Sequence, residues 1–138
     1  MTELGDRLPV VLAEILPVQR EDDGALTVSH EETFASLRVV TIAEGLELIS
    51  LTQVLAWDLP LNAAMRAVVA KHAQDTLLGT VSMVEKIGGG KNTGGSRKTG
   101  DVLLRYNFPA AGLTDDALRT LVMMVLATGA DVRRALVA

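Results

Sequence analysis

The chain has 138 residues, a length that favours one folded domain. Its formal charge of −4 excludes nucleic acid and anionic membrane as default partners, because both carry negative charge. It has no cysteine, which removes disulfide bonds, thiolate nucleophiles and zinc–thiolate sites and agrees with a reducing compartment.

The N-terminal stretch lacks the basic start and the small-residue cleavage site of a signal peptide. The longest uncharged runs, residues 48–57 and 120–130, are shorter than the roughly 18 residues needed to cross a bilayer. We therefore expect a cytoplasmic protein with no membrane segment.

The first half of the chain predicts a helix followed by three strands. Apolar residues from Leu8 to Leu16 recur at amphipathic helical spacing, and Pro17 with the acidic turn that ends at Gly24 terminates the helix. Alternating and β-branched residues then predict extended structure. The three strands are predicted over residues 26–30, 34–42 and 46–57.

The second half predicts a helix, two strands and a last helix. Asp58-Leu59-Pro60 breaks the third strand, and the next apolar face, from Leu61 to His72, has helical spacing. Residues 77–86 and 101–108 alternate as strands do. Thr114 is placed to cap the last helix, whose apolar stripe reaches Leu136 with a break allowed near Gly129.

These elements predict the fold class. Residues 1–138 are expected to form a single α+β domain in the order α-βββ-α-ββ-α, with three helices packed on a largely antiparallel five-stranded sheet. The predicted core comprises Leu37, Val39, Val81, Met83, Leu104, Tyr106, Leu118, Val122 and Val125.

A glycine-rich segment joins the last two strands. Residues 87–100 contain six glycines, which predicts a long mobile hairpin loop. The segment is not a phosphate-binding P-loop, because Lys98-Thr99 follows Arg97 instead of glycine and a strand follows instead of a helix. The alternative is a basic patch that contacts an acidic partner or an anion, formed by Lys86, Lys91, Arg97 and Lys98.

Residues that carry catalysis or bind metal are not apparent. His30 and His72 are far apart and have no ligand spacing, so structural roles are expected for both. Ser96 lacks the final glycine of a nucleophile elbow. Adjacent carboxylates such as Asp115-Asp116 fit caps better than an acid–base pair. We expect no catalytic residue, no metal, no cofactor and no enzymatic activity.

The order of elements resembles that of the YbjN-type and type III secretion chaperone-like family over nearly the whole chain. The local similarities are in residues 70–74 leading into 78–81, in residues 100–105 and in residues 111–114. The chain departs from the family at Ala73-Gln74, where members often have asparagine, and in its longer hairpin, 87–100. The resemblance implies a small acidic bacterial homodimer without enzymatic activity that holds a partly unfolded client or a regulatory partner.

The expected function is therefore that of a non-enzymatic protein-binding module resembling a secretion chaperone or a YbjN-type regulator. The competing class is a small-ligand or anion-binding regulatory protein that uses the glycine-rich segment 87–100.

Overall fold

The structure is a computed structural model that describes residues 3–87 and 98–137. It confirms the α+β class and the three predicted helices. In chain order the elements are α1 (Leu4–Ala13), β1 (Val18–Arg20), β2 (Leu26–His30), β3 (Thr33–Ala43), β4 (Leu46–Pro60), α2 (Ala63–Asp75), β5 (Thr80–Ile87), β6 (Lys98–Pro109) and α3 (Asp115–Val137).

The sheet has six strands, so the prediction of five was wrong. Their spatial order is β1-β2-β3-β4-β6-β5, and every neighbouring pair is antiparallel. The additional strand is β1, only three residues long, which pairs Val18 with Val28 and Arg20 with Leu26. So short a segment has no period of its own, and it is extended because β2 supplies its hydrogen-bonding partner.

The element boundaries that differ from the sequence prediction include the ends of α1 and β4 and the start of β5, which is at Thr80 instead of residue 77. Helix α1 ends at Ala13, although Leu16 beyond it is still buried. Strand β4 continues through the predicted break to Pro60, with two irregularities in its pairing to β6 between Val54 and Leu59. Bulges let a strand change direction without ending, and proline is tolerated at a strand terminus.

The glycine-rich segment is shorter than predicted at both ends. Ile87 is the last residue of β5 and pairs with Lys98, the first residue of β6. The predicted loop residues between them, 88–97, lie outside the described part of the chain, so their mobility remains a prediction.

Polar side chains cap the first turns of α2 and α3. The Asn62 side chain accepts a hydrogen bond from the Met65 amide at the start of α2, and the Thr114 hydroxyl accepts one from the Ala117 amide at the start of α3. The predicted Thr114 cap is thus confirmed. Arg7 of α1 donates to Asp115 at 2.9 Å and to the Leu113 carbonyl at 2.6 Å, which holds α1 against the beginning of α3.

The core lies between the helices and one face of the sheet. Of the predicted core, six residues are buried: Leu37, Val81, Leu104, Leu118, Val122 and Val125. The other three, Val39, Met83 and Tyr106, are partly buried against the same cluster. Helix α2 contributes least, because Val69 is its one buried residue while Val68 is 40% exposed. Within residues 3–87 and 98–137, no helix combines the length and apolar composition needed to cross a bilayer.

A buried amide positions α3 on the sheet. Gln53 of β4 is fully buried and donates from Nε2 to the Thr33 hydroxyl at 2.9 Å and to the Leu126 carbonyl of α3 at 3.1 Å. A Cβ at Gly129 would lie 2.5 Å from Gln53 Cδ, so only glycine leaves room for the amide. The helix is continuous through Gly129, and the break allowed there does not occur.

Candidate functional site: the open face of the sheet

The face of the sheet opposite the core is not covered by α1, α2 or α3. In β4 the residues Ile49, Leu51 and Gln53 are fully buried beneath the helices, whereas the alternate residues point to the other side and are partly exposed. Residues opposite each other in the register share a face. The open face accordingly comprises Phe34, Ser36, Arg38 and Val40 of β3, Leu48, Ser50, Thr52 and Val54 of β4, Asp101, Leu103, Arg105 and Asn107 of β6, and Thr80, Ser82, Val84 and Lys86 of β5.

An apolar row crosses the centre of this face. The register pairs Phe34 with Val54 and Val54 with Leu103, which places three apolar side chains side by side on β3, β4 and β6. Phe34 is 54% exposed, and Val84, which is paired with Asp101 on the same face, is 48% exposed. Contiguous apolar surface of this kind is more often a binding surface than is a single exposed residue.

A polar row lies directly beside it and spans all six strands. Successive register pairs connect Gln19, Thr27, Ser36, Thr52, Arg105 and Thr80. Five of these side chains are amides or hydroxyls, and Arg105 provides the charge. The two rows are two residues apart along each strand, or roughly 7 Å. The open face therefore presents apolar contacts and hydrogen-bonding groups side by side.

A charged cluster closes one end of the open face. Lys86 Nζ lies 2.7 Å from an Asp58 carboxylate oxygen and 3.0 Å from an Asp101 carboxylate oxygen. The hydrogen bond to Asp58, together with that to Asp101, raises the pKa of Lys86. The same ammonium is 5.8 Å from the ring centroid of Trp57, which is 57% exposed.

The backbone of Asp58 is adapted to this cluster. Its φ of 53° is in the left-handed region, which aspartate tolerates better than most residues, and its amide donates to Asp101 Oδ1 at 3.0 Å. Burial acts to raise the pKa of Asp101, but the hydrogen bonds from the Asp58 amide and Lys86 outweigh it and lower that pKa. The charges of this cluster are thus paired with one another through ion pairs and hydrogen bonds.

Two of the four predicted basic contact residues, Lys86 and Lys98, are described, and they lie on opposite faces of the sheet. Lys86 is paired with Thr99 on the open face, whereas Lys98 is paired with Ile87 in the next register position and belongs to the opposite face. Lys98 also forms an ion pair with Glu85 at 3.4 Å. Lys91 and Arg97 lie outside the described residues. A contact between this segment and an anion therefore stays a prediction.

The histidines and carboxylates do not form an assembled site in the described chain. His30 ends β2, with Nε2 3.2 Å from the adjacent Glu31 carboxylate, and His72 lies in the last turn of α2. Between residues 3 and 87 and between 98 and 137, no three histidine, aspartate or glutamate side chains converge as metal ligands would.

Sequence reasoning did not identify Arg105 or the apolar row. The signal was present in β6, where residues 102, 104, 106 and 108 were assigned to the core face, which implies that Leu103, Arg105 and Asn107 point the other way. What sequence alone did not supply was the pairing of β6 with β4, which places Leu103 beside Val54.

These features define a class by fold: an α+β domain with three helices on one side of an antiparallel sheet and an exposed face on the other. No family model matches the sequence. No curated protein matches it either.

Among solved structures, the chain is similar in fold to YbjN, a proposed transcription regulator from E. coli. The superposition has a TM-score of 0.57 and covers 96% of this chain and 92% of YbjN, with 11% sequence identity. The expected likeness to YbjN is confirmed at the level of fold.

Proposed function

We propose that this protein is a non-enzymatic, cytoplasmic protein-binding module of the secretion chaperone or YbjN-type regulator kind. Its partner contacts the open face of the sheet. The similarity in fold to YbjN supports the comparison with that protein, and the likeness to secretion chaperones rests on the order of the elements.

The observation that carries this proposal is the exposure of large apolar side chains on an ordered sheet. Phe34 and Trp57 are each more than half exposed, and Val84 is nearly so. Leaving aromatic surface in water forgoes a favourable transfer free energy of about 25 cal/mol per Å². Aromatic side chains are also enriched among the residues that dominate protein–protein binding energy.

The competing class, an anion-binding regulator, receives less support from the described residues. The structure describes two lysines of the predicted patch, and both form ion pairs with carboxylates. Lys86 pairs with Asp58 and Asp101, and Lys98 pairs with Glu85. An anion would have to displace these carboxylates or use other donors.

The test is partner capture from native cell extract, followed by reconstitution with the purified partner. Trp57 is the only tryptophan, so its emission reports directly on one end of the open face. Covering it should shift the emission to shorter wavelength, and Phe34→Ala should weaken binding by roughly tenfold or more. The matched control is Val10→Ala, since Val10 is 64% exposed but lies on α1. Equal affinity of the wild type and Phe34→Ala would contradict the proposal.

We also propose that the protein is a homodimer in solution. A two-fold contact centred on Arg105 would bring this residue of one copy against Arg105 of the other, which is unfavourable. The dimer contact should therefore be centred away from Arg105. Sedimentation velocity decides the oligomeric state, and a monomer throughout the micromolar range would contradict this part of the proposal.

A further inference from the structure

The cations of the open face differ in whether a carboxylate balances them. Arg38 donates to Asp23 at 2.5 Å, and Lys86 lies between Asp58 and Asp101. Arg105 is exposed, and among the described residues no carboxylate pairs with it. Within its described residues, a chain with a formal charge of −4 thus presents an uncompensated cation on the uncovered face of the sheet, one strand in from the β5 edge.

The neighbours of Arg105 favour a carboxylate as its partner. The register places Thr52 on one side of it and Thr80 on the other, with Ser36 next along the same row. Hydroxyls donate hydrogen bonds to acceptor oxygens, and the planar guanidinium binds a carboxylate through two parallel hydrogen bonds. The row is therefore suited to an acidic side chain.

The apolar row indicates which second group the ligand carries besides that carboxylate. Leu103 precedes Arg105 by two residues on β6, so the Phe34–Val54–Leu103 row lies roughly 7 Å from the guanidinium row. A ligand that fills both rows needs an apolar side chain and a carboxylate about 7 Å apart. Alternate residues of an extended protein segment have this separation.

We propose that the open face docks an extended acidic segment of another protein, which places a carboxylate on Arg105 and an apolar side chain two residues away on the row of Phe34, Val54 and Leu103. This inference rests on the function proposed above and names the chemistry of its partner. A second copy of this chain is the disfavoured occupant of the site at Arg105, because a two-fold contact centred on this residue opposes two arginines.

The experiment uses the full chain and three synthetic peptides of equal length, labelled with fluorescein. In each peptide, serine separates phenylalanine from a test residue, so that these two side chains lie two positions apart. The test residue is glutamate, glutamine or lysine. Fluorescence anisotropy measures affinity at low and high salt. We expect the glutamate peptide to bind roughly tenfold or more tightly than the lysine peptide at low salt, with the difference reduced as salt screens the contact.

Substitution of Arg105 assigns the preference to its guanidinium. Arg105→Glu should reverse the order of the glutamate and lysine peptides, and Arg105→Gln should abolish the preference without reversing it. The matched control is Lys71→Glu, which changes the net charge equally on α2, where the Lys71 side chain is 78% exposed. That control should keep the wild-type order, and far-UV circular dichroism checks the folding of each variant.

The outcomes separate this inference from the proposed function. Equal binding of the three peptides, or no binding of the glutamate peptide at low salt, overturns the carboxylate contact. A change in sedimentation coefficient with Arg105→Glu would identify a second copy as the occupant and overturn it as well. If Phe34→Ala still weakens binding of the reconstituted partner in any of these cases, the proposal of protein binding through the open face stands. Only the inference that the partner segment is acidic is then overturned.

Discussion

The covered and open faces of the sheet are built from the same strands but with different chemistry. Along β4, Ile49, Leu51 and Leu55 are fully buried under the helices, while Ser50 and Thr52 on the alternate positions remain partly exposed. The covered face is continuous and mainly apolar, and its two buried polar side chains, Gln53 and Thr33, are hydrogen-bonded to each other. The open face mixes an aromatic ring, aliphatic residues, hydroxyls and charges.

This difference indicates what each set of side chains does. Burial against the helices supplies the free energy that holds the fold, so the composition of the covered face is dictated by packing. The open face gains little from burial within the chain, and its exposed Phe34 and Trp57 are not needed to fill the core. Its composition is therefore informative about binding.

The largest predicted difference in stability between the two faces concerns two adjacent leucines on β6. Leu104 is fully buried on the covered face, whereas Leu103 is partly exposed on the open face. Leu104→Ala should lower the free energy of unfolding by about 2–5 kcal/mol, because it removes packed atoms and leaves a cavity. Leu103→Ala should cost far less. Chemical denaturation measures both, and equal losses would show that the open face is packed as tightly as the covered one.

A second prediction concerns the close approach of α3 to the covered face. Gly129→Ala should destabilise the protein by about 1–3 kcal/mol, because the new methyl overlaps the amide of Gln53. Gly5→Ala in α1 is the control: its Cβ meets nothing within 4 Å, and alanine is the better helix former by about 1 kcal/mol. If Gly129→Ala stabilises as Gly5→Ala does, the amide moves aside without cost.

A third prediction compares two threonines that differ in which face they occupy. Thr33, 1% exposed, accepts from Gln53 and donates to the His30 carbonyl at 2.6 Å. Thr33→Val should cost about 1–3 kcal/mol, since it leaves the amide and the carbonyl without this hydroxyl. Thr52→Val on the open face should change stability by less than about 0.5 kcal/mol. Similar losses measured by thermal and chemical unfolding would contradict the distinction.

Periodicity predicted most of the covered face but not the pairing of the strands. The alternation in residues 102–108 and the helical spacing from Leu118 to Val125 identify buried positions, because one face of each element must be apolar. Strand β1 was missed because three residues carry no period. Pro60 was taken as a break because bulges that let a strand continue leave no local signal.

The candidate site was less accessible from sequence because it depends on which strands are neighbours. The basic residues Lys86 and Lys98 belong to the same basic segment of the sequence, yet the alternation of side chains along β5 and β6 places them on opposite faces of the sheet. Conversely, Phe34, Val54 and Leu103 are distant in sequence and meet only through the β3–β4–β6 pairing. Local patterns predict faces of elements, whereas a surface row is a property of the topology.

The smallest expected effect concerns the ion pairs of Lys86 with Asp58 and Asp101 at one end of the open face. The pKa of Asp101 is lowered below its ordinary value of 3.8, which means that folding favours the ionised carboxylate. A group whose pKa is depressed by folding stabilises the protein fully above its unfolded pKa, and this contribution is lost as the pH falls through the folded pKa. Asp101→Asn should therefore destabilise the protein near neutral pH.

The pH dependence of that difference is the measurement. The gap in unfolding free energy between wild type and Asp101→Asn should be constant from about pH 7 to about pH 5 and should shrink as the pH falls below about 4. In a Lys86→Met background the gap should be smaller, because the ammonium that holds the carboxylate is absent. A gap that does not change between about pH 7 and pH 2 would mean that the ionised form of Asp101 adds nothing to folding.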